Sequence, residues 1–173
     1  MNAVHSRIPV VGVMGGAKVN RAVERKAFEL GAHIAEHGWI LLNGGRDAGV
    51  MRASARGAKS RGGTTIGIVP GASKQEANPF IDIVIVTHLA DARNLINVLS
   101  SDVVVACPGS AGTLSEIALA VKNNIPVVVL AIDENPCLRN CGLIPEPIYT
   151  QTVAECIAQV EHILSQSRTE HGG

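Results

Sequence analysis

The stretch best equipped for chemistry is Pro108-Gly109-Ser110-Ala111-Gly112-Thr113-Leu114-Ser115-Glu116. It follows an apolar run, Asp102 to Cys107, and leads into a helical pattern. Two glycines among small residues let the backbone turn tightly with its N–H groups outward. The helix start behind them adds orphan donors and the positive end of a dipole. Such an arrangement binds anions, most often phosphate. Thr113 adds a hydroxyl donor. Glu116 lies one turn further, on the same face as Thr113. A carboxylate there does not help hold phosphate; it suits a hydroxyl, a ring N–H or a proton transfer. Thr113-x-x-Glu116 also fits a capping box, with Glu116 reaching back to the cap backbone. A cap and a ligand site are compatible.

Three other clusters belong with this loop. Gly15-Gly16-Ala17-Lys18 follows the run Ile8 to Met14, and Asn43-Gly44-Gly45-Arg46-Asp47-Ala48-Gly49 follows Trp39 to Leu42. His88-Leu89-Ala90-Asp91-Ala92-Arg93-Asn94 follows Ile81 to Thr87. If these runs are parallel strands, all four clusters lie beyond their carboxyl ends, where ligands of α/β sheets bind. The expected crevice takes an anionic, phosphate-bearing small molecule. Its expected residues are Gly15, Gly16, Lys18, Gly44, Gly45, Arg46, Arg93, Asn94, Gly109, Ser110, Ala111, Gly112, Thr113 and Glu116. One Gly-Gly pair is an ordinary turn signal; four clusters at one sheet edge are a stronger one. Arg93 falls in the first turn of its helix, where a cation opposes the dipole, a placement that points to a ligand. Its other reading is an ion pair with Asp91 or Glu116. Arg46, Arg52, Arg56, Lys59 and Arg61 make one segment basic, which reads as a solvated face except for Arg46 at the strand end.

The elements that must position these residues follow from periodicity. Val/Ile-rich runs without polar alternation, at Ile8–Met14, Trp39–Leu42, Thr64–Val69, Ile81–Thr87, Asp102–Cys107 and Pro126–Ile132, mark strands mostly covered on both faces. Helical spacing appears at Asn20–His37, stopped by Gly38, and at Ala48–Ser60, whose Ala, Ser and Gly favour close packing. A third helix starts near Asp91, a candidate N-cap. A fourth runs from the Gly-rich turn to Asn123 and a last from Val153 to Leu164. Pro70 to Pro79 joins two strands without a helix. The pattern predicts one Rossmann-like, doubly wound α/β domain over residues 8–165, with a mostly parallel sheet, helices on both faces, and flexible tails at 1–7 and 166–173.

Composition sets the limits. The 173 residues make one domain with a real core. Formal net charge is zero, which argues against a nucleic-acid binder, as do only four aromatic residues, Phe28, Trp39, Phe80 and Tyr149. The low share of charged residues, 17%, points to surface buried between subunits. No apolar run approaches a membrane span. Cys107, Cys137, Cys141 and Cys156 form no Cys-x-x-Cys pair, and the short polar N-terminus has no leader pattern; both predict free thiols in the cytoplasm.

Other signals rank lower. His33-Ile34-Ala35-Glu36-His37 matches an inverted zinc-protease pattern, but it closes a crossover helix away from the strand ends, so no metal is expected. Cys137 and Cys141 are a loop pair with no partner motif. Cys107 reads as a small core residue whose sulfur borders the crevice. His88 reads equally as an anion contact or a plain loop residue. Glu155 and Glu161 read as a solvated helix face.

Pro108, Gly109, Gly112, Thr113 and Glu116 match Pro-Gly-Gly-x-Gly-Thr-x-x-Glu, with Ser110 at the second glycine. Over residues 8 to 165 the chain thereby resembles the LOG-like (SLOG) Rossmann superfamily, also labelled "possible lysine decarboxylase". Two branches follow from that resemblance. In the cytokinin-activating phosphoribohydrolases, which cleave the N-glycosidic bond of nucleoside 5′-monophosphates, Arg93 and Glu116 would be catalytic. Those enzymes carry Arg-Lys where this chain has Arg93-Asn94, and Gly-Leu-Met-Gly where it has Gly49-Val50-Met51-Arg52. Gly44-Gly45, Gly49-Val50-Met51, Ile68-x-Pro70-Gly71, Ala77-Asn78-Pro79 and Ala92-Arg93-Asn94 resemble instead the molybdenum cofactor carrier branch, although His88-Leu89-Ala90 replaces a glycine-rich stretch there. That branch implies a binding protein rather than an enzyme, storing and protecting molybdopterin-bound molybdenum. Gly109 to Thr113 and Arg93 would hold the phosphate or molybdenum oxo end. Lys18 and Arg46 would offset charge, and Glu116 or Asn94 would meet the pterin. Molybdoenzymes would be cofactor acceptors, and the chain a homo-oligomer, a dimer or tetramer.

Overall fold

A computed structural model of the chain describes residues 7–132, 142–143 and 145–170. Seven strands, β1 (Val10–Met14), β2 (Ile40–Asn43), β3 (Thr65–Val69), β4 (Ile83–Val86), β5 (Val103–Ala106), β6 (Val127–Leu130) and β7 (Ile148–Thr150), form one sheet in the order β4-β3-β2-β1-β5-β6-β7. Every pairing is parallel. The helices described are α1 (Arg21–Glu36), α2 (Gly49–Ser60), α3 (Arg93–Leu99), α4 (Ala111–Lys122) and α5 (Val153–Glu170).

The runs of Val and Ile form strands because both faces of the central sheet are covered. On one face Val11, Val13, Leu41, Val103, Val105 and Val128 pack with Ala27, Leu30 and Ile34 of α1 and with Val153, Ile157 and Val160 of α5. On the other, Leu42, Ile68, Val104 and Val129 pack with Val98 of α3 and Ile117, Ala120 and Val121 of α4. Cys107 and Cys156 belong to the first core, and burial pushes each thiol up to about 12. They behave as small apolar residues. Asn20 caps α1 by accepting from Val23 N–H at 3.0 Å. The small residues of α2 do allow close packing: a Cβ on Gly57 would stand 1.9 Å from the carbonyl oxygen of Phe28 on α1.

The differences from the sequence reading have local causes. Strand β7 is three residues long, next to Pro145 and Pro147, and offers no apolar run to detect. Strand β4 is not covered on both faces. It is a sheet edge, and its connection from β3 holds only the short 3₁₀ turn Lys74–Glu76, so no crossover helix lies over it. Asp91 is not the N-cap of α3. The helix continues from the 3₁₀ turn Ala90–Ala92, and its cap residue, Ala92, already has helical dihedrals. The last helix runs to Glu170 where apolar spacing predicts an end near Leu164.

The capping box that Thr113-x-x-Glu116 also fits does not form. Ser110 is the cap residue of α4, in extended conformation, which puts Thr113 and Glu116 inside the helix. Capping boxes form instead at Ser73 and Glu76 and at Thr152 and Glu155. Thr152 Oγ1 accepts from Glu155 N–H at 3.2 Å, and Glu155 Oε2 accepts from Thr152 N–H at 3.1 Å and Gln151 N–H at 2.9 Å. These bonds hold the Glu155 carboxyl below its usual range, so this residue is a cap and not merely a solvated face.

Candidate functional site

The strand order reverses between β1 and β5, since β1 pairs with β2 on one side and with β5 on the other. Loops leaving such a pair diverge to opposite faces and leave a crevice. A cleft of ≈ 140 Å³ opens there, over Val13, Met14 and Met51. Its walls are Gly15, Gly16 and Ala17 after β1, Gly44 and Arg46 after β2, Asp91, Arg93 and Asn94 at the start of α3, and Ser110, Gly112, Thr113 and Glu116 at the start of α4.

Four expected residues do not line it. Lys18 is exposed beyond the β1 loop. Gly45 lies behind the wall, its N–H donating to Asn43 Oδ1 at 2.8 Å. Gly109 is exposed, its backbone close against Gly16 and Thr113. Ala111 is exposed at the outer side of the first turn. Cys107 and His88 are also absent from the lining. Cys137 and Cys141 lie outside the described residues.

Arg93 is the central feature. It is only 9% exposed, and its Nε has no hydrogen-bond partner among the described residues. No ion pair joins it to Asp91 or Glu116 among the described residues. Burial pulls its pKa below the usual arginine value, the nearby Glu116 opposing and Arg46 reinforcing that shift. Room for the guanidinium comes from Gly44, where a Cβ would stand 2.3 Å from Nη1.

The loop carrying Gly44 and Arg46 is fixed from below. Asn43 donates to Met51 O at 2.9 Å and Ser54 Oγ at 3.1 Å. Asn78 donates to Gly45 O at 3.0 Å and Arg46 O at 3.3 Å. The Ala77-Asn78-Pro79 stretch is therefore a brace for the cleft wall.

Opposite Arg93, the α4 cap Ser110 makes no side-chain capping bond. The N–H groups of the first turn have no acceptor within the helix. Glu116 is buried, and Asn97 Nδ2 donates to its Oε1 at 2.9 Å. Burial raises the Glu116 pKa above its usual range, with Asn97 and Arg93 pulling the other way. Asn97 is fully buried one turn from Arg93, and no sequence signal marked it. Asn94 is held by Ser115, its Nδ2 donating to Oγ at 3.1 Å. The site thus sets cationic and N–H donors against one buried carboxyl.

The rim departs from ordinary backbone. His88 and Ala90 have φ of +54° and +46°, left-handed values that favour glycine. Neither residue is a glycine, so the loop takes these dihedrals against the preference of its own side chains.

The histidine pair on α1 has structural partners. His33 Nδ1 lies 3.0 Å from Glu36, and His37 stacks on Trp39. No three metal-ligating side chains converge among the described residues. The basic residues of α2 are tied down too: Arg52 pairs with Asp47, Lys59 with Asp82 and Arg61 with Glu36, and Arg56 lies over Phe28. None of the helices described is long and apolar enough to cross a membrane.

Comparison with known proteins agrees with this architecture. The molybdenum cofactor binding protein of the phototrophic bacterium Rippkaea orientalis is 43% identical and superposes with a TM-score of 0.87, over 91% of this chain and 98% of that one. The molybdenum cofactor carrier protein of Chlamydomonas reinhardtii is also 43% identical, with a TM-score of 0.86 over 92% of this chain and 99% of that one. A cytokinin riboside 5′-monophosphate phosphoribohydrolase of Mycobacterium tuberculosis is 38% identical over 93 residues, 53% of this chain and half of that enzyme. The model of the SLOG cluster4 family matches residues 8–157, and the chain belongs to that family.

Proposed function

We propose that this chain binds and stores the molybdenum cofactor, with the anionic end of the cofactor in the cleft at the head of β1 and β5. One observation carries the reading: Arg93, nine-tenths buried with its Nε unpartnered, faces the uncapped first turn of α4. A buried guanidinium with an Nε that makes no hydrogen bond among the described residues is costly, and an oxyanion would satisfy both the guanidinium and the N–H groups. Arg46 adds positive charge at the wall. Glu116 and Asp91 offer acceptors for the ring N–H groups of a pterin. The 43% identity to two proteins that bind or carry this cofactor supports the same reading. Enclosure would shield a labile ligand from oxidation, and molybdoenzymes would be the recipients.

The test is equilibrium titration with intact cofactor, then transfer to a cofactor-free molybdoenzyme. Saturable binding that Arg93→Ala weakens at least tenfold is the expected result. No saturable binding by the folded chain overturns the proposal.

A second reading keeps one specific support. Glu116 is a buried carboxyl of raised pKa beside an arginine, the combination that an N-glycosidic hydrolase would use for acid–base work. It predicts ribose 5-phosphate release from AMP that Glu116→Gln abolishes. No release from AMP removes it.

A further inference from the structure

Arg93 and Glu116 line one cleft of ≈ 140 Å³ and act on each other electrostatically, yet no ion pair joins them among the described residues. Opposite charges so enclosed should meet, because attraction grows as water is excluded. A guanidinium and a carboxylate also fit each other in two parallel hydrogen bonds. Such a pair would use up the donors that an oxyanion needs. The carboxyl must therefore be held aside, and Asn97 is in place to hold it.

Asn97 follows Arg93 by four residues, so both lie on one face of α3. It is fully buried, and its Nδ2 donates to Glu116 Oε1 at 2.9 Å. Among the described residues this is the one hydrogen bond of its side chain, and its Oδ1 is buried without a partner. An amide half satisfied in this way is a poor packing element, since an apolar side chain of similar size would fill the space without a dry carbonyl. What it supplies is a neutral donor. A cation in its place would neutralise Glu116, and an apolar residue would release it. The donor is itself anchored: Ser101 Oγ donates to the Asn97 carbonyl at 2.8 Å, and Gly12 of β1 leaves room for that hydroxyl, with which a Cβ would collide. The bond from Asn94 Nδ2 to Ser115 Oγ, at 3.1 Å, is a second tie between α3 and α4.

We propose that Asn97 is a positioning residue: its amide holds Glu116 back from Arg93, so that the guanidinium stays open to the anionic end of the ligand. The free cleft is then kept in the arrangement that binding requires, and no ion pair has to be broken when the ligand enters. This role rests on the anion-binding reading of the cleft, whereas the place of Glu116 in the ligand-free chain is independent of it.

Crystal structures of the ligand-free chain and titration with intact molybdenum cofactor test it together. In Asn97→Leu, Glu116 should turn to Arg93 and pair with it at about 2.8 Å, while the wild type keeps the two apart. Cofactor affinity should fall roughly tenfold or more, although neither charged residue has changed. Added to Glu116→Gln, the same substitution should leave affinity within about threefold of Glu116→Gln alone, since no carboxylate remains to be held back. An Asn97 that only supports the fold would lower affinity by the same factor on either background. Asn97→Ala, which adds no volume, should repeat each result and decides the matter if Asn97→Leu does not fold. Glu116 paired with Arg93 in the wild type, Glu116 still apart from Arg93 in the variants, affinity unchanged by them, or a loss that persists on Glu116→Gln would each overturn the proposal. A wild type that binds no cofactor would remove the proposed function but not the restraint on Glu116, which the crystal structures decide.

Discussion

Gly44→Ala removes no functional group, yet it should disable the cleft by moving one. A Cβ at this position stands 2.3 Å from Arg93 Nη1, 2.8 Å from Nη2 and 2.9 Å from Cζ. An ordinary contact needs about 3.5 Å, so the guanidinium must retreat by roughly 1 Å. What yields is the end of a long side chain rather than backbone. The cost in stability should therefore stay within about 1 kcal/mol. Binding is another matter, because a charge-assisted hydrogen bond displaced by 1 Å forfeits most of its roughly 1.5–3 kcal/mol. Affinity for the molybdenum cofactor should fall roughly ten- to a hundredfold. The assay is equilibrium titration of wild type, Gly44→Ala, Arg93→Ala and the double variant, with thermal melts to confirm folding. If Gly44 acts through Arg93, the double variant binds no more weakly than Arg93→Ala. A folded Gly44→Ala chain that binds within twofold of wild type would refute the reasoning, as would additive losses in the double variant.

Three further outcomes follow from the same geometry. Burial holds the Glu116 carboxyl above its usual 4.5, so the folded chain binds that proton more tightly than the unfolded chain does. Its contribution to stability is complete below about pH 4.5 and is lost as pH rises through the folded value. Glu116→Gln cannot ionise, so its Tm advantage over wild type should widen between about pH 4 and pH 7; a constant gap contradicts this. His88→Gly and Ala90→Gly should each stabilise the chain by about 0.5–1 kcal/mol, because relief of left-handed strain exceeds the entropy cost of glycine; denaturant melts showing a loss would remove the strain argument. Asn43→Ala strips partners from Gly45 N–H, Met51 O and Ser54 Oγ in the core. It should cost about 2–4 kcal/mol, read from urea unfolding, and a cost below about 1 kcal/mol would show that the loop does not depend on this brace.

The central strands were legible because a doubly covered strand must be apolar on both faces, and Val103 to Ala106 can be little else. The cleft was legible where its residue types are unusual for their position, as with Arg93 in a first helical turn and glycines at successive strand ends. What escaped depends on direction. Asn97 looks like any helical asparagine until its amide is seen to meet Glu116. Lys18 and Arg46 stand at similar points after their strands and both are exposed, but only Arg46 lines the cleft, on a loop held by Asn78 and the bridge to Ala77. The two Thr-x-x-Glu stretches are equivalent as strings. Only the place where the backbone enters the helix decides that Thr152 is a cap and Thr113 is not.

The position of the cleft on the seam between β1 and β5 bears on when the site comes into being. Val11 must find Val103, and no pairing between neighbouring strands of this sheet spans more of the chain. Such distant closures are slow steps of folding. Gly16 on one side of the seam and Thr113 on the other come together only once it has closed. The complete cleft is therefore reserved for the finished molecule. A ligand seated there would act as a rivet across the join, lending its binding free energy to the pairing that spans most of the chain.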